Sequence, residues 1–183
     1  MHRSNAAELP QETPSPSMFR ATAETLLVFL VFFVQGAYAA PDVNEPHYLS
    51  KARHYWDPTW CADDFFCNTA DAHQVFFWTF GWTTRWLSFG ATAWCGRLIT
   101  WWLLAWAWRR LCWSVVARPY YAVLAAALLV LCISRGQMAG EWLIGGVEAK
   151  GFAYVFVMLG LESLVRGRWG PSVLLVGAAS VLY

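Results

Sequence analysis

Long apolar runs dominate the sequence and limit what it can fold into. They follow neither the alternation of a half-buried strand nor the one-sided periodicity of an amphipathic helix. A membrane-spanning helix needs roughly 20 mostly apolar residues, and several runs approach that length. Of the 183 residues, 58% are hydrophobic and 14% are charged, whereas soluble domains carry about 25% charged residues. The sequence therefore predicts an all-α integral membrane protein, with the lipid bilayer as its first partner.

The apolar runs predict a polytopic transmembrane helical bundle of about 4–5 spans. Residues 1–20 read as a disordered cytoplasmic tail because they are polar and rich in Pro, Ser and Glu, and residues 21–183 form the transmembrane region. The last apolar run has no charged residue at its end. This predicts that the chain is the N-terminal part of a longer protein. The approximate spans are residues 24–40, 91–108, 119–133, 152–165 and 171–183.

Two segments allow more than one interpretation. The first run ends in Ala37-Tyr38-Ala39, which resembles a signal-peptidase site. The region before the run is long, lacks a positive cluster and places Glu24 beside it, and these features favour an uncleaved first span. Residues 74–89 are aromatic and apolar, and they form either an interfacial helix or a further span.

The positions of the arginines predict the orientation. Arg109, Arg110 and Arg118 follow the second predicted span, and short loops rich in Lys and Arg stay on the cytoplasmic side. This orientation puts the N-terminus in the cytoplasm and the loop of residues 41–73 outside.

Two further charge patterns predict an ion pair within the chain and exclude one class of binding partner. Glu162 lies four residues before Arg166, a spacing that predicts an ion pair at the membrane edge. The net charge is +1, without a Lys/Arg-rich run, which excludes nucleic acid as a partner.

The predicted external loop begins with a short helix that we expect to lie at the membrane interface. Asn44 or Glu45 can cap it, and Pro46 suits the first turn, where a missing N–H leaves no hydrogen bond unmade. Asp57-Pro58 ends it. Further along the loop, Cys61 and Cys67 can form a disulfide in an oxidising compartment.

The candidate functional residues lie in two polar segments on the predicted external side. Carboxylates there can act as general bases or hold a divalent cation, and a lysine can neutralise a phosphate. Each candidate also has an ordinary alternative, such as solvation of an exposed acid or pairing with a neighbouring charge. The candidates are Glu45, His47, Asp63 and Asp64 in the first segment and Glu148 and Lys150 in the second.

Two motifs carry a resemblance to a known family. Asn44-Glu45-Pro46-His47-Tyr48, followed by Asp63-Asp64-Phe65, resembles the acidic first external loop of the C-type glycosyltransferases, which use polyprenyl-phosphate-linked sugars. The segment VEAKGFAY (147–154) is similar to acidic–basic segments of bacterial members and of related uncharacterised multi-pass proteins.

The resemblance implies an inverting enzyme of the bacterial inner membrane with a polyprenyl-phosphate sugar as its partner. Glu45 would then remove the proton of the acceptor hydroxyl, assisted by Asp63 and Asp64, which are also the expected ligands of a divalent cation. Lys150 would steady the lipid phosphate. Glu148 and His47 would contact the substrate.

Two alternatives stay open at the level of the sequence. A carboxylate suits the positive end of a helix, so Glu45 can be a capping group instead of a base. The chain can also be a non-enzymatic multi-pass membrane protein, such as a transporter subunit or an assembly partner.

Overall fold

A computed structural model describes residues 17–42, 44–136 and 143–183, and every regular element within these ranges is helical. The predicted all-α class is therefore confirmed for the described residues. A 3₁₀ helix occupies Gly81–Arg85. The α-helices are α1 (Met18–Gly36), α2 (Glu45–Trp56), α3 (Gln74–Thr79), α4 (Phe89–Val115), α5 (Tyr121–Arg135), α6 (Ala149–Val165) and α7 (Trp169–Leu182).

Serine side chains cap the two longest helices at their N-termini. Ser17 Oγ accepts a hydrogen bond from the backbone N–H of Arg20 at 3.4 Å, and Ser88 Oγ accepts one from Ala91 at 3.2 Å. Such caps satisfy N–H groups that have no partner within the helix. As a result α1 begins at Met18, inside the predicted tail of residues 1–20, most of which lies outside the described residues.

Helix α4 is the centre of the bundle and packs against α1, α5 and α6. Its Trp101 and Leu104 are buried with Val28 and Phe32 of α1 in the main apolar core. Helix α1 therefore belongs to the folded core. Helix α7 packs mainly on α6.

The segment between α1 and α4 folds into a second, smaller core at one end of the bundle. Leu49 and Ala52 of α2 pack with Phe76 and Phe77 of α3 and with Val147, just before α6. Helix α2 has the predicted extent, from Glu45 to Trp56. Residues 74–89 contain the short α3 and a 3₁₀ helix instead of one long helix, so a single spanning helix is wrong for this segment.

One helix among the described residues, α1, is long and apolar enough to cross a membrane, and α5 and α7 are apolar but shorter. Helices lie in all five runs for which spans are predicted, although α4 extends to Val115 instead of ending at residue 108. The count of 4–5 spans stays a prediction.

Candidate functional site

Glu45, the first residue of α2, forms a two-point ion pair with Arg97 of α4. Arg97 Nε donates to Oε1 at 2.8 Å and Nη2 donates to Oε2 at 2.6 Å. The backbone N–H of Val147 donates to Oε1 at 2.7 Å, and that of Asp42 donates to Oε2 at 2.8 Å. A carboxylate offers about four lone-pair sites. Four donors occupy these sites on the Glu45 carboxylate.

This arrangement differs from both roles considered for Glu45. Asn44 occupies the N-cap position of α2, without a side-chain capping bond, and the Glu45 carboxylate instead bridges α2, α4 and the segment before α6. Both members of the ion pair are buried, with side chains 0% (Glu45) and 2% (Arg97) exposed. The role of Glu45 as a base stays a prediction. Its hydrogen bonds show directly that it joins three segments of the chain.

Glu148, immediately before α6, is the second buried carboxylate at this end of the bundle. Only 5% of the residue is exposed, and its side chain makes a hydrogen bond with Asn44. Its Oε2 is buried and has no hydrogen-bond partner within the part of the chain that the structure describes. Burial raises the pKa of Glu148, and the nearby Glu45 adds to this effect, while the bond to Asn44 and the charge of Lys150 oppose it.

Glu148 lines a cavity of about 250 Å³ between the end of α1, α4 and the segment before α6. Tyr38, Asp42 and Arg97 line the same cavity. The cavity therefore combines carboxylates with a guanidinium group that is held in place by Glu45.

Gly146 allows the close approach on which this site depends. A Cβ atom at this position would lie 2.5 Å from Glu45 Cγ and 2.8 Å from Glu45 Cδ. We expect Gly146→Ala to lower the free energy of unfolding by about 1–3 kcal/mol, as overpacking does, measured by thermal unfolding in detergent micelles. Gly170→Ala is the matched control because a Cβ there meets nothing within 4 Å. Equal stability of the two variants would contradict the packing argument.

A group of aromatic and basic side chains lies beside Glu148. The Tyr48 hydroxyl and His73 Nε2 share a hydrogen bond of 3.2 Å, and the His73 ring stacks on Tyr183 with centroids 5.3 Å apart. Lys150 Nζ lies 5.0 Å from the centroid of the Tyr183 ring. We call Asn44, Tyr48, His73, Glu148 and Lys150 the polar cluster.

The electrostatics of the polar cluster favour neutral forms. Burial raises the pKa of Tyr48 to about 12, and the negative charge of Glu148 contributes. Burial also lowers the pKa of His73, and the charge of Lys150 contributes. Three chain segments far apart in the sequence thus share one environment in which protonation states are coupled.

His47 and Lys51 line a separate cavity of about 370 Å³ on the other side of α2, which Tyr48 and His73 also line. His47 itself is exposed, and its ring meets Phe66 with centroids 5.6 Å apart. Lys51 is buried.

Lys51 holds the loop onto α2. Its Nζ donates to the backbone oxygen of Thr69 at 2.8 Å and to Thr69 Oγ1 at 2.6 Å. It also lies 3.7 Å from a carboxylate oxygen of Asp71.

Asp63 and Asp64 are exposed in the turns after α2. Asp64 Oδ1 accepts a hydrogen bond from the backbone N–H of Cys67 at 2.9 Å, and this bond lowers the pKa of Asp64. In the same loop Cys61 and Cys67 are free thiols, so the disulfide is absent from this structure.

Among the described residues, no group of three or more His, Cys, Asp or Glu side chains is arranged to hold a metal ion. The divalent cation, with Asp63 and Asp64 as its ligands, stays a prediction.

The structure brings together three of the six predicted site residues and adds others. Glu45, Glu148 and Lys150 meet, His47 lies at the neighbouring cavity, and Asp63 and Asp64 lie in the exposed turns. The residues that the sequence analysis missed are Asn44, Tyr48, His73 and Arg97. An arginine inside an apolar run is expensive in lipid unless it faces protein, water or the headgroups, and Arg97 faces protein, in its ion pair with Glu45.

Comparisons with known proteins add no identification. No family model, curated protein or solved structure matches the chain. The resemblance to C-type glycosyltransferases therefore stays a prediction drawn from short motifs.

Proposed function

We propose that the chain is the membrane-embedded N-terminal part of a glycosyltransferase that takes its sugar from a polyprenyl phosphate at the external membrane face. The polar cluster is the observation that carries the proposal. An inverting transfer needs a proton acceptor for the attacking hydroxyl and a cation for the departing phosphate. Two buried carboxylates, Glu45 and Glu148, and the cation of Lys150 supply both chemistries at this end of the bundle.

A groove between α6 and α7 supports the choice of donor. It has a volume of about 460 Å³ and is lined mostly by small and apolar side chains, among them Ala153, Val157 and Val176. Lys150 and Tyr183 also line it. A polyprenyl chain matches the apolar wall, and its phosphate matches the lysine.

The exposed apolar surface supports contact with lipid and so the proposed 4–5 spans. The proposed bacterial inner membrane rests on the family resemblance, and the proposed cytoplasmic N-terminus rests on the positions of the arginines. Soluble monomers rarely expose contiguous apolar patches of more than a few hundred Å², whereas here large apolar side chains are exposed on several long helices. Examples are Leu26, Leu30 and Val34 on α1, Leu98, Ile99 and Trp102 on α4, Leu124, Leu128 and Leu131 on α5, and Val173, Leu174 and Val181 on α7.

Binding of polyprenyl phosphate to the full-length protein in detergent micelles, followed by native mass spectrometry, tests the proposal. We expect Lys150→Gln to weaken binding by about 10- to 100-fold, the effect of losing a charge-assisted bond. Lys150→Arg should retain most of the affinity. Arg135→Gln, which removes an exposed charge at the end of α5, should have no effect.

Binding of the uncharged polyprenol is measured to separate recognition of the phosphate from hydrophobic binding of the lipid chain. We expect the polyprenol to bind more weakly than the phosphate by a similar factor. Equal affinity for the two lipids, or no sugar transfer from a polyprenyl-phosphate sugar by the full-length protein, would contradict the proposal. The second result would favour a transporter subunit or an assembly partner.

A further inference from the structure

We infer that Glu148, and not Glu45, takes the proton from the acceptor hydroxyl, and that the Glu45–Arg97 pair positions the site. The inference rests on the proposed function. It assigns the role of base to Glu148, in the segment before α6, instead of to Glu45, in the motif of residues 44–48.

The hydrogen bonds of the two carboxylates separate their roles. Each oxygen of Glu45 already accepts two hydrogen bonds, from Arg97 and from backbone N–H groups. Glu148 Oε2 accepts none from the described residues, although it is buried. A buried polar atom without a partner is rare and needs an explanation. A hydroxyl group entering the cavity would supply the missing donor.

Arg97 lines the same cavity as Glu148. A guanidinium group carries five N–H donors, and three of its hydrogen bonds are described, two to Glu45 and one of 2.7 Å to the backbone oxygen of Tyr38. These bonds hold the plane of the guanidinium group. Its remaining N–H groups can then bind another hydroxyl of the acceptor, which makes Arg97 a binding group and Glu45 a positioning residue.

The environment of Glu148 increases its affinity for a proton. Burial and Glu45 raise its pKa, and Asn44 and Lys150 limit the rise. A carboxylate with a higher pKa is a stronger base. The other titratable and charged groups that face it or share its cavity are Tyr38, Asp42, Tyr48 and Arg97.

The proposed step balances without a further reactant. The acceptor O–H bond breaks and its proton passes to Glu148 Oε2. The acceptor oxygen forms a bond to the anomeric carbon of the sugar while the bond from that carbon to the phosphate oxygen breaks. The electron pair leaves with the polyprenyl phosphate, whose charge Lys150 meets.

Transfer kinetics of the full-length protein test the assignment. We expect Glu148→Gln to lower kcat by about 100- to 10,000-fold, the usual range for a lost general base, with unchanged binding of polyprenyl phosphate. Glu148→Asp should restore part of the rate and shift the acidic limb of the pH profile. Full activity of Glu148→Gln, together with loss of activity in a folded Glu45→Gln variant, would overturn the inference.

Stability against pH provides a readout that does not need activity. Folded Glu148 keeps its proton above the ordinary carboxyl pKa of 4.5, so the unfolded state binds fewer protons and the wild-type protein loses stability as pH rises through that window. The Glu148→Gln variant has no carboxyl group at this position, so it does not lose stability in this way as the pH rises. We therefore expect the variant to be at least as stable as the wild type at pH 7, with a difference that grows from pH 4.5 upward.

Labelling with a hydrophobic carbodiimide distinguishes failure of the inference from failure of the proposed function. The reagent reacts with protonated buried carboxyl groups, so we expect mass spectrometry to find the label on Glu148 and not on Glu45. Label on Glu45 alone would overturn the inference even if the protein transfers sugar. Label on Glu148 without any sugar transfer would overturn the proposed function and leave Glu148 as the proton-binding carboxyl of another activity.

Discussion

Arg97→Met should lower the free energy of unfolding by about 3–5 kcal/mol, the effect of leaving one buried charge without its partner. Glu45 would keep its backbone donors, but its charge would remain in a site where its side chain is 0% exposed. Thermal or denaturant unfolding in detergent micelles measures the change. The same substitution at exposed Arg85 should change stability by no more than about 0.5 kcal/mol.

A second substitution at the partner tests whether the unpaired charge causes the loss. We expect the double variant Glu45→Met/Arg97→Met to be more stable than Arg97→Met alone, because two apolar side chains can replace a buried ion pair at little or no loss. The recovery should remain partial, since the N–H groups of Val147 and Asp42 lose their acceptor. Strict additivity of the two substitutions would show that the pair is not energetically coupled.

Glu24→Ala should lower the free energy of unfolding by a similar amount, about 3–5 kcal/mol, at the other end of α4. Glu24 is fully buried and accepts hydrogen bonds from Arg109 Nε at 3.1 Å, Trp113 Nε1 at 2.6 Å and the backbone N–H of Tyr120 at 3.1 Å. The truncation leaves a buried guanidinium group and two further donors without an acceptor. Denaturant unfolding monitored by tryptophan fluorescence measures the effect.

Glu162→Ala is the matched control for Glu24→Ala. Glu162 also pairs with two arginines, Arg110 and Arg166, but their side chains are 38% and 42% exposed. Water can solvate both after the truncation, so we expect a loss of about 1 kcal/mol or less. Equal losses in the Glu24 and Glu162 variants would contradict the view that burial of the orphaned charge sets the penalty.

The three arginines of α4 make it the organising helix of the fold. Each one pairs with a glutamate from a different helix: Arg97 with α2, Arg109 with α1 and Arg110 with α6. If these helices lie in lipid as proposed, apolar burial does not favour one helix contact over another. Ion pairs between particular positions then specify which faces meet.

The positions of the helices could be predicted from the sequence alone because the signals for them are local. Apolar runs without a strand period mark α1 and α4–α7, and Pro46 and Asp57-Pro58 mark the ends of α2. The Glu162–Arg166 pair is confirmed because a spacing of four residues places both side chains on one helix face. Two differences are also local in origin: serine caps make α1 and α4 begin before the predicted spans, and residues 74–89 contain two short helices.

The tertiary structure is needed to see which carboxylate of the candidate site has an oxygen without a hydrogen-bond partner among the described residues. Glu45 attracts attention in the sequence because it stands in a motif, yet Arg97 lies 52 residues away and Val147 lies 102 residues away. Glu148 stands in the segment VEAKGFAY, and the sequence shows neither its burial nor its hydrogen bonds. Its Oε2 is buried without a hydrogen-bond partner among the described residues, and the residue lines the same cavity as Arg97. Hydrogen-bond occupancy and burial depend on how distant helices pack, and no local pattern encodes them.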